Sequence, residues 1–144
     1  AFLRKISSYL KEDGKLLIAI ENKFGLKYWA GCREDHTGKF FDGLEGYIDT
    51  ESKVRTFSKD TLKQIISDAG YSKAEFYYPF PDYKFPVQIF SDDYLPKEDD
   101  LNIGLDTFDN TRMMLFNENR VYASLLKEKK FDFFANSFFV EVTK

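Results

Sequence analysis

The chain has 144 residues, 43% of them hydrophobic and 31% charged, with net charge −3. That is one ordinary domain or a piece of one, with enough apolar content for a core, which excludes a disordered chain. The acidic balance argues against a nucleic-acid partner, and no apolar run approaches the ~20 residues of a membrane span or resembles a signal peptide.

Phe2, Leu3, Ile6, Tyr9 and Leu10 recur at helical spacing, so residues 2–12 are predicted as an amphipathic helix. Asp13-Gly14 ends it, because Gly takes the backbone angles a tight turn needs. Lys15 then leads into the apolar run Leu16-Leu17-Ile18-Ala19-Ile20, which stops at Glu21-Asn22. A run without alternation predicts a strand covered on both faces, as in a parallel sheet flanked by helices. Such a strand needs neighbours that residues 1–144 do not supply, so a preceding strand is expected upstream of residue 1. The fragment alone is expected to expose a sheet edge and to form a homodimer.

Residues 23–47 form a long connection punctuated by Gly25, Gly31, Gly38, Gly43 and Gly46, with a helical turn predicted at 26–30. Loops of this length are uncommon in compact domains and are often binding loops or lids. It carries Cys32, His36 and Trp29, the chain's single Cys, His and Trp. A lone Cys rules out an internal disulfide and points to a reducing, cytoplasmic location; without a Cys/His cluster, no metal site is expected. No glycine spacing here matches a phosphate-binding loop.

Ser58 is predicted to cap a helix, with Phe57 and Leu62 as its hydrophobic staple, Leu62, Ile65, Ile66 and Ala69 as its buried stripe and Gly70 as its stop. Residues 73–80 alternate as a strand, with Ala74, Phe76, Tyr78 and Phe80 on one face, and Pro79, Pro81 and Pro86 confine it to an edge or an end of the sheet. Residues 91–109 are acidic and irregular, as in a solvated loop. Asn117 is predicted to cap a further helix carrying Val121, Ala123, Leu125 and Leu126, and residues 137–142 to form the last strand. Two late strands suggest an antiparallel pair at the edge of an otherwise parallel sheet.

This order of elements resembles the C-terminal half of a class I S-adenosylmethionine-dependent methyltransferase. Asp13-Gly14-Lys15-Leu16-Leu17-Ile18 looks like that fold's fifth strand and its turn, and Thr56-Phe57-Ser58 through Asp68-Ala69-Gly70-Tyr71 looks like the next helix of that fold. Residues 22–28, 34–38, 41–47 and 78–83 are similar to a bacterial subgroup found with glycosyltransferases and surface-polysaccharide genes. The resemblance implies an α/β fold, namely the C-terminal half of a Rossmann-like methyltransferase sheet. It also implies that the glycine-rich loop and the acidic residue for S-adenosylmethionine lie upstream, so that these residues shape the pocket for a carbohydrate or small-molecule acceptor.

Methyl transfer to oxygen needs a base, and a histidine titrating near neutrality serves well. His36, flanked by carboxylates that would orient it, is the candidate base, with Asp42 and Glu45 as helpers. Asn22, Tyr28, Trp29, Asp35 and Tyr47 are the candidate acceptor-binding residues. Against this stand plainer readings: a solvated turn at 35–38, turn-forming carboxylates, aromatic packing of the loop, and an Asx turn at Asn22. A non-catalytic module that binds carbohydrate or protein beside a glycosyltransferase is the alternative function.

Overall fold

The computed structural model describes residues 2–48, 51, 53–101 and 113–144. Helix α1 (Phe2–Ser7) is shorter than the predicted 2–12. Past Ser7 the amides of Ser8, Tyr9 and Leu10 donate to carbonyls three residues back, and the Ser8 hydroxyl competes for the Lys5 carbonyl at 2.7 Å. Side-chain competition of this kind favours turns over a continuing helix.

Strands β1 (Lys15–Glu21), β2 (Lys73–Phe80), β3 (Gln88–Ser91) and β4 (Ser137–Thr143) form one sheet in the order β1-β4-β2-β3. Every neighbouring pair is antiparallel, with Val140 of β4 opposite both Ile18 and Phe76. The expected α/β class and an antiparallel pair at one edge are present, but in place of the otherwise parallel sheet the described strands form an antiparallel open sheet. The last strand inserts between β1 and β2, which run in the same direction without touching. Burial of Phe138, Val140 and Val142 on the covered face is what draws β4 into the centre.

The expectation that β1 is covered on both faces also fails. Leu16, Ile18 and Ile20 turn toward the core, whereas Leu17 is 57% exposed and Ala19 lies beside it on the open face. β1 is the terminal strand, and among the described residues helices cover the sheet from one side only. Beside it, α1 and α3 (Lys59–Asp68) leave an apolar groove of about 900 Å³ lined by Phe2, Ile6, Leu16, Ile18, Ile65 and Ala69.

The predicted cap of α3 is present: the Ser58 hydroxyl accepts from the Thr61 amide at 3.3 Å, and Leu62 and Ile66 are buried. Pro79 is reconciled with a strand that has neighbours on both sides, because β4 pairs with β2 only as far as Tyr77. The missing donor therefore lies past the end of that ladder. β3 was not predicted, and of the acidic stretch 91–109, Asp106 and Asp109 lie outside the described residues. Helix α4 (Glu118–Lys127) has the predicted Asn117 cap, accepting from the Arg120 amide at 3.1 Å; Val121, Leu125 and Leu126 pack half-buried against the core, and Tyr122, which the sequence did not single out, is its fully buried anchor.

The core is strongly aromatic. Tyr78, Phe80, Phe90 and Tyr122 surround Phe131 of the short helix α5 (Phe131–Phe134), with the Tyr78 and Phe90 rings meeting it edge to face. Such pairs add about 0.5–1.5 kcal/mol each beyond simple burial. Among the described residues, no helix is long and apolar enough to cross a membrane.

Candidate functional site at the carboxyl end of β1

The strand leaves the sheet at Asn22, and the Asn22 side chain fixes the path of the loop beyond it. Its amide donates to the carbonyls of Phe133 and Ala135 at 2.7 and 2.8 Å, and Oδ1 accepts from the Phe24 amide at 3.0 Å. Asn22 therefore makes the Asx turn and ties α5 to the end of β1. Asn136 works alongside it: Oδ1 accepts from the Lys27 amide at 2.9 Å and Nδ2 donates to the Pro81 carbonyl at 3.0 Å. These two asparagines hold the short helix α2 (Leu26–Trp29) over the sheet.

From α2 the Lys27 ammonium enters a buried polar cluster. It lies 3.0 Å from Asp82 Oδ2 and 3.4 Å from Asp35 Oδ2, over the ring of Tyr28 at 5.1 Å. The Tyr28 hydroxyl donates to Asp35. Lys84 bridges Asp35 Oδ1 at 3.1 Å and Glu21 Oε1 at 3.2 Å, and the Tyr83 hydroxyl donates to the same Glu21 oxygen at 3.1 Å. Segments far apart in sequence thus meet here: the end of β1, α2, the loop at Asp35 and the β2–β3 connection. Glu21, Asp35 and Asp82 face Lys27 and Lys84, leaving one negative charge in excess.

Burial opposes the charge on Lys27, but the Asp82 and Asp35 carboxylates outweigh it and hold the ammonium's pKa above its ordinary value. Burial likewise opposes the Asp35 carboxylate, and Lys27, Tyr28 and Lys84 together hold its pKa below the ordinary value. Burial and Asp35 push the Tyr28 phenol far up, and burial and Glu21 push Tyr83 up to about 12. Both phenols are donors at neutral pH. A cluster of ionised, paired groups is a weak source of general bases but a good set of hydrogen-bond partners for hydroxyls.

The loop beyond is organised by Glu34, which sequence reasoning passed over. Its Oε2 accepts from the amides of His36 and Thr37 at 2.7 and 2.8 Å, and Oε1 from the Tyr47 hydroxyl at 2.9 Å. Tyr47 in turn accepts from the Thr56 amide at 2.9 Å beneath the Arg55 guanidinium. Of the predicted site residues, Tyr28, Asp35 and Asn22 are brought to the β1 end. Tyr28 is buried with its hydroxyl engaged, so it offers no stacking face, while Trp29 is exposed. Tyr47 is a buried brace.

The flanking carboxylates do not orient the imidazole of His36. Glu34 takes its backbone amide and Asp35 faces Lys27 and Lys84, which leaves the ring in solvent. Among the described residues, no hydrogen bond or ion pair joins the side chains of His36, Asp42 and Glu45. Glu45 is exposed; Asp42 is only 5% exposed, and its Oδ2 has no hydrogen-bond partner among the described residues.

Glu21, Lys27, Asp82, Tyr83 and Lys84 are the additions the structure makes. The local signals for them were the polar pair ending β1 and the phrases at residues 22–28 and 78–83. The described residues do not fit S-adenosylmethionine. Cβ atoms at Gly25 and Gly31 would meet the chain's own backbone at Asn136 and Met113, so these glycines make room for protein and not for a ligand. The acidic groups at the strand end are already held by lysines.

No protein-family model, curated protein or solved structure matches this chain.

Proposed function

We propose that this chain is the acceptor-side half of an S-adenosylmethionine-dependent methyltransferase in surface-glycan assembly, its sheet the C-terminal part of a Rossmann-like one. The supporting observation is the asymmetry of β1. One edge pairs with β4; among the described residues the other meets only an isolated parallel bridge from Asn22 to Phe57 and is flanked by an apolar groove, and the carboxyl end carries the polar cluster and the His36 loop. Donor-holding strands would extend the sheet from that second edge, placing the methyl donor beside a loop rich in hydroxyl partners. His36, unencumbered by side-chain partners among the described residues, would take the acceptor's proton, and Asp42 would add an acceptor for a hydroxyl.

The recognition-module alternative draws on a different observation: the polar cluster is internally paired, as a purely structural clamp would be. Titration calorimetry with S-adenosylmethionine separates the two. Expected is no binding by residues 1–144 and micromolar binding by the longer protein that the reading requires. Micromolar binding by residues 1–144 overturns the division into halves. No binding by either leaves the recognition module.

A further inference from the structure

A second surface, apart from the polar cluster, gathers exposed apolar side chains and unpaired cations. Phe133 stacks on Phe24 at 5.3 Å and meets Phe134 edge to face at 4.9 Å, and Phe134 meets Trp29 at 6.4 Å. Met113 to Leu115 run across the next two residues: the Leu115 amide donates to the Ala30 carbonyl at 3.1 Å, and a Cβ on Gly31 would overlap the Met113 carbonyl. Trp29 is 44%, Phe133 43% and Met114 75% exposed, so large apolar side chains cluster here in contact with water, the kind of patch that marks an interaction site. Asn22 and Asn136 hold α5 and α2 in place, so the patch is built and not a frayed end.

The rim is basic. Lys23 lies over the Phe24 ring at 5.4 Å, and Lys129 and Lys130 immediately precede α5. Among the described residues none of the three forms an ion pair; of the neighbouring carboxylates Asp132 is held by Lys59 at 3.1 Å, which leaves Glu128 against three lysines and an excess of positive charge. This stands out on a chain whose net charge is −3.

We propose that this face docks on an anionic lipid surface, with Trp29, Phe133 and the Met113–Leu115 segment entering the headgroup layer and Lys23, Lys129 and Lys130 meeting the phosphates. Apolar side chains beside lysines are the composition of interfacial anchors. Among the described residues the patch has no free sheet edge of the kind by which a peptide partner is held in register. The site of docking is independent of the methyltransferase reading.

Trp29 is the chain's single tryptophan, so its fluorescence reports on the patch alone. The experiment titrates the intact chain with vesicles of phosphatidylcholine, and of an equal mixture with phosphatidylglycerol. Expected are a blue shift and salt-sensitive binding on the anionic vesicles, roughly 20–30-fold tighter than on the neutral ones for a net excess of two cations. Lys23→Glu with Lys130→Glu should lower anionic binding by roughly tenfold or more, while Lys11→Glu, far along the chain from the patch, should not. No shift with either vesicle, equal binding to both, or equal loss in the Lys11 variant overturns the proposal. So does a shift on concentrating the protein without lipid, which would make the patch a contact between copies of the chain.

Discussion

Lys27 is a buried cation kept charged by Asp82 and Asp35, so its removal leaves both carboxylates short of a partner in a poorly solvated place. Breaking a buried pair from one side typically costs about 3–5 kcal/mol. Lys27→Met should lower the urea midpoint accordingly, and an unchanged midpoint would mean that water reaches the cluster freely. The same cluster sets the pH response. Asp35 has a folded value below its unfolded one, so its contribution is present above the unfolded value and fades as pH falls through the folded value. The midpoint should hold from neutrality down and decline only below about pH 4, with Asp35→Asn flattening that decline. Lys27, raised on folding, gives the mirror window, its contribution present below its ordinary 10.5 and lost as pH climbs through the raised value. His36 behaves differently because its ring is exposed. His36→Ala should leave the melting temperature unchanged and, in the proposed methyltransferase, lower kcat by ~10²–10⁴-fold. Full activity in that variant would move the base to Asp42 or Glu45.

Among the elements, α3 is the counter-case, since Ser58 holds a helix end and touches none of the site. Ser58→Ala should cost ~0.5–2 kcal/mol in a denaturant melt and leave kcat unaltered. This helix was legible because its signals are local: cap, staple and stripe fall within a dozen residues. Asn22 was half legible, since its place at a strand end drew attention while its bonds to α5 join residues more than a hundred positions apart. The ammonium of Lys27 was not legible at all. It sits in a helical turn beside Leu26 and Tyr28, and the carboxylate that pays for its burial, Asp82, is 55 residues away. The two-sided burial of β1 was misread for a related reason. An unbroken apolar run records what a strand tolerates on its faces, and the layers that cover those faces are set elsewhere in the chain.

On the scale of the whole molecule, the described residues leave the sheet one covered face and an unpaired edge along Leu16 to Ile20 of β1, short of the bridge from Asn22 to Phe57, and those five residues carry neither charge nor proline. Natural sheets usually blunt such an edge with a lysine, a proline or a bulge, because an unpaired row of amides and carbonyls templates pairing with another chain. Two copies of β1 can meet antiparallel about Ile18, which sets Lys15 opposite Glu21 and Leu16 opposite Ile20, an arrangement without like charges across the seam. The isolated chain should therefore self-associate as its concentration rises, in sedimentation velocity or light scattering. Leu17→Lys places a charge on the exposed face of that strand, 57% open in the single chain, where it disturbs little of the core. It should shift the protein toward monomer while leaving the melting temperature of the dilute chain nearly unaltered. If the wild-type chain stays strictly monomeric at high concentration, with a cooperative melt, the edge is protected by something other than its sequence. If both proteins associate equally, the contact lies away from β1, and the Trp29 emission then tells whether the aromatic face is the one engaged.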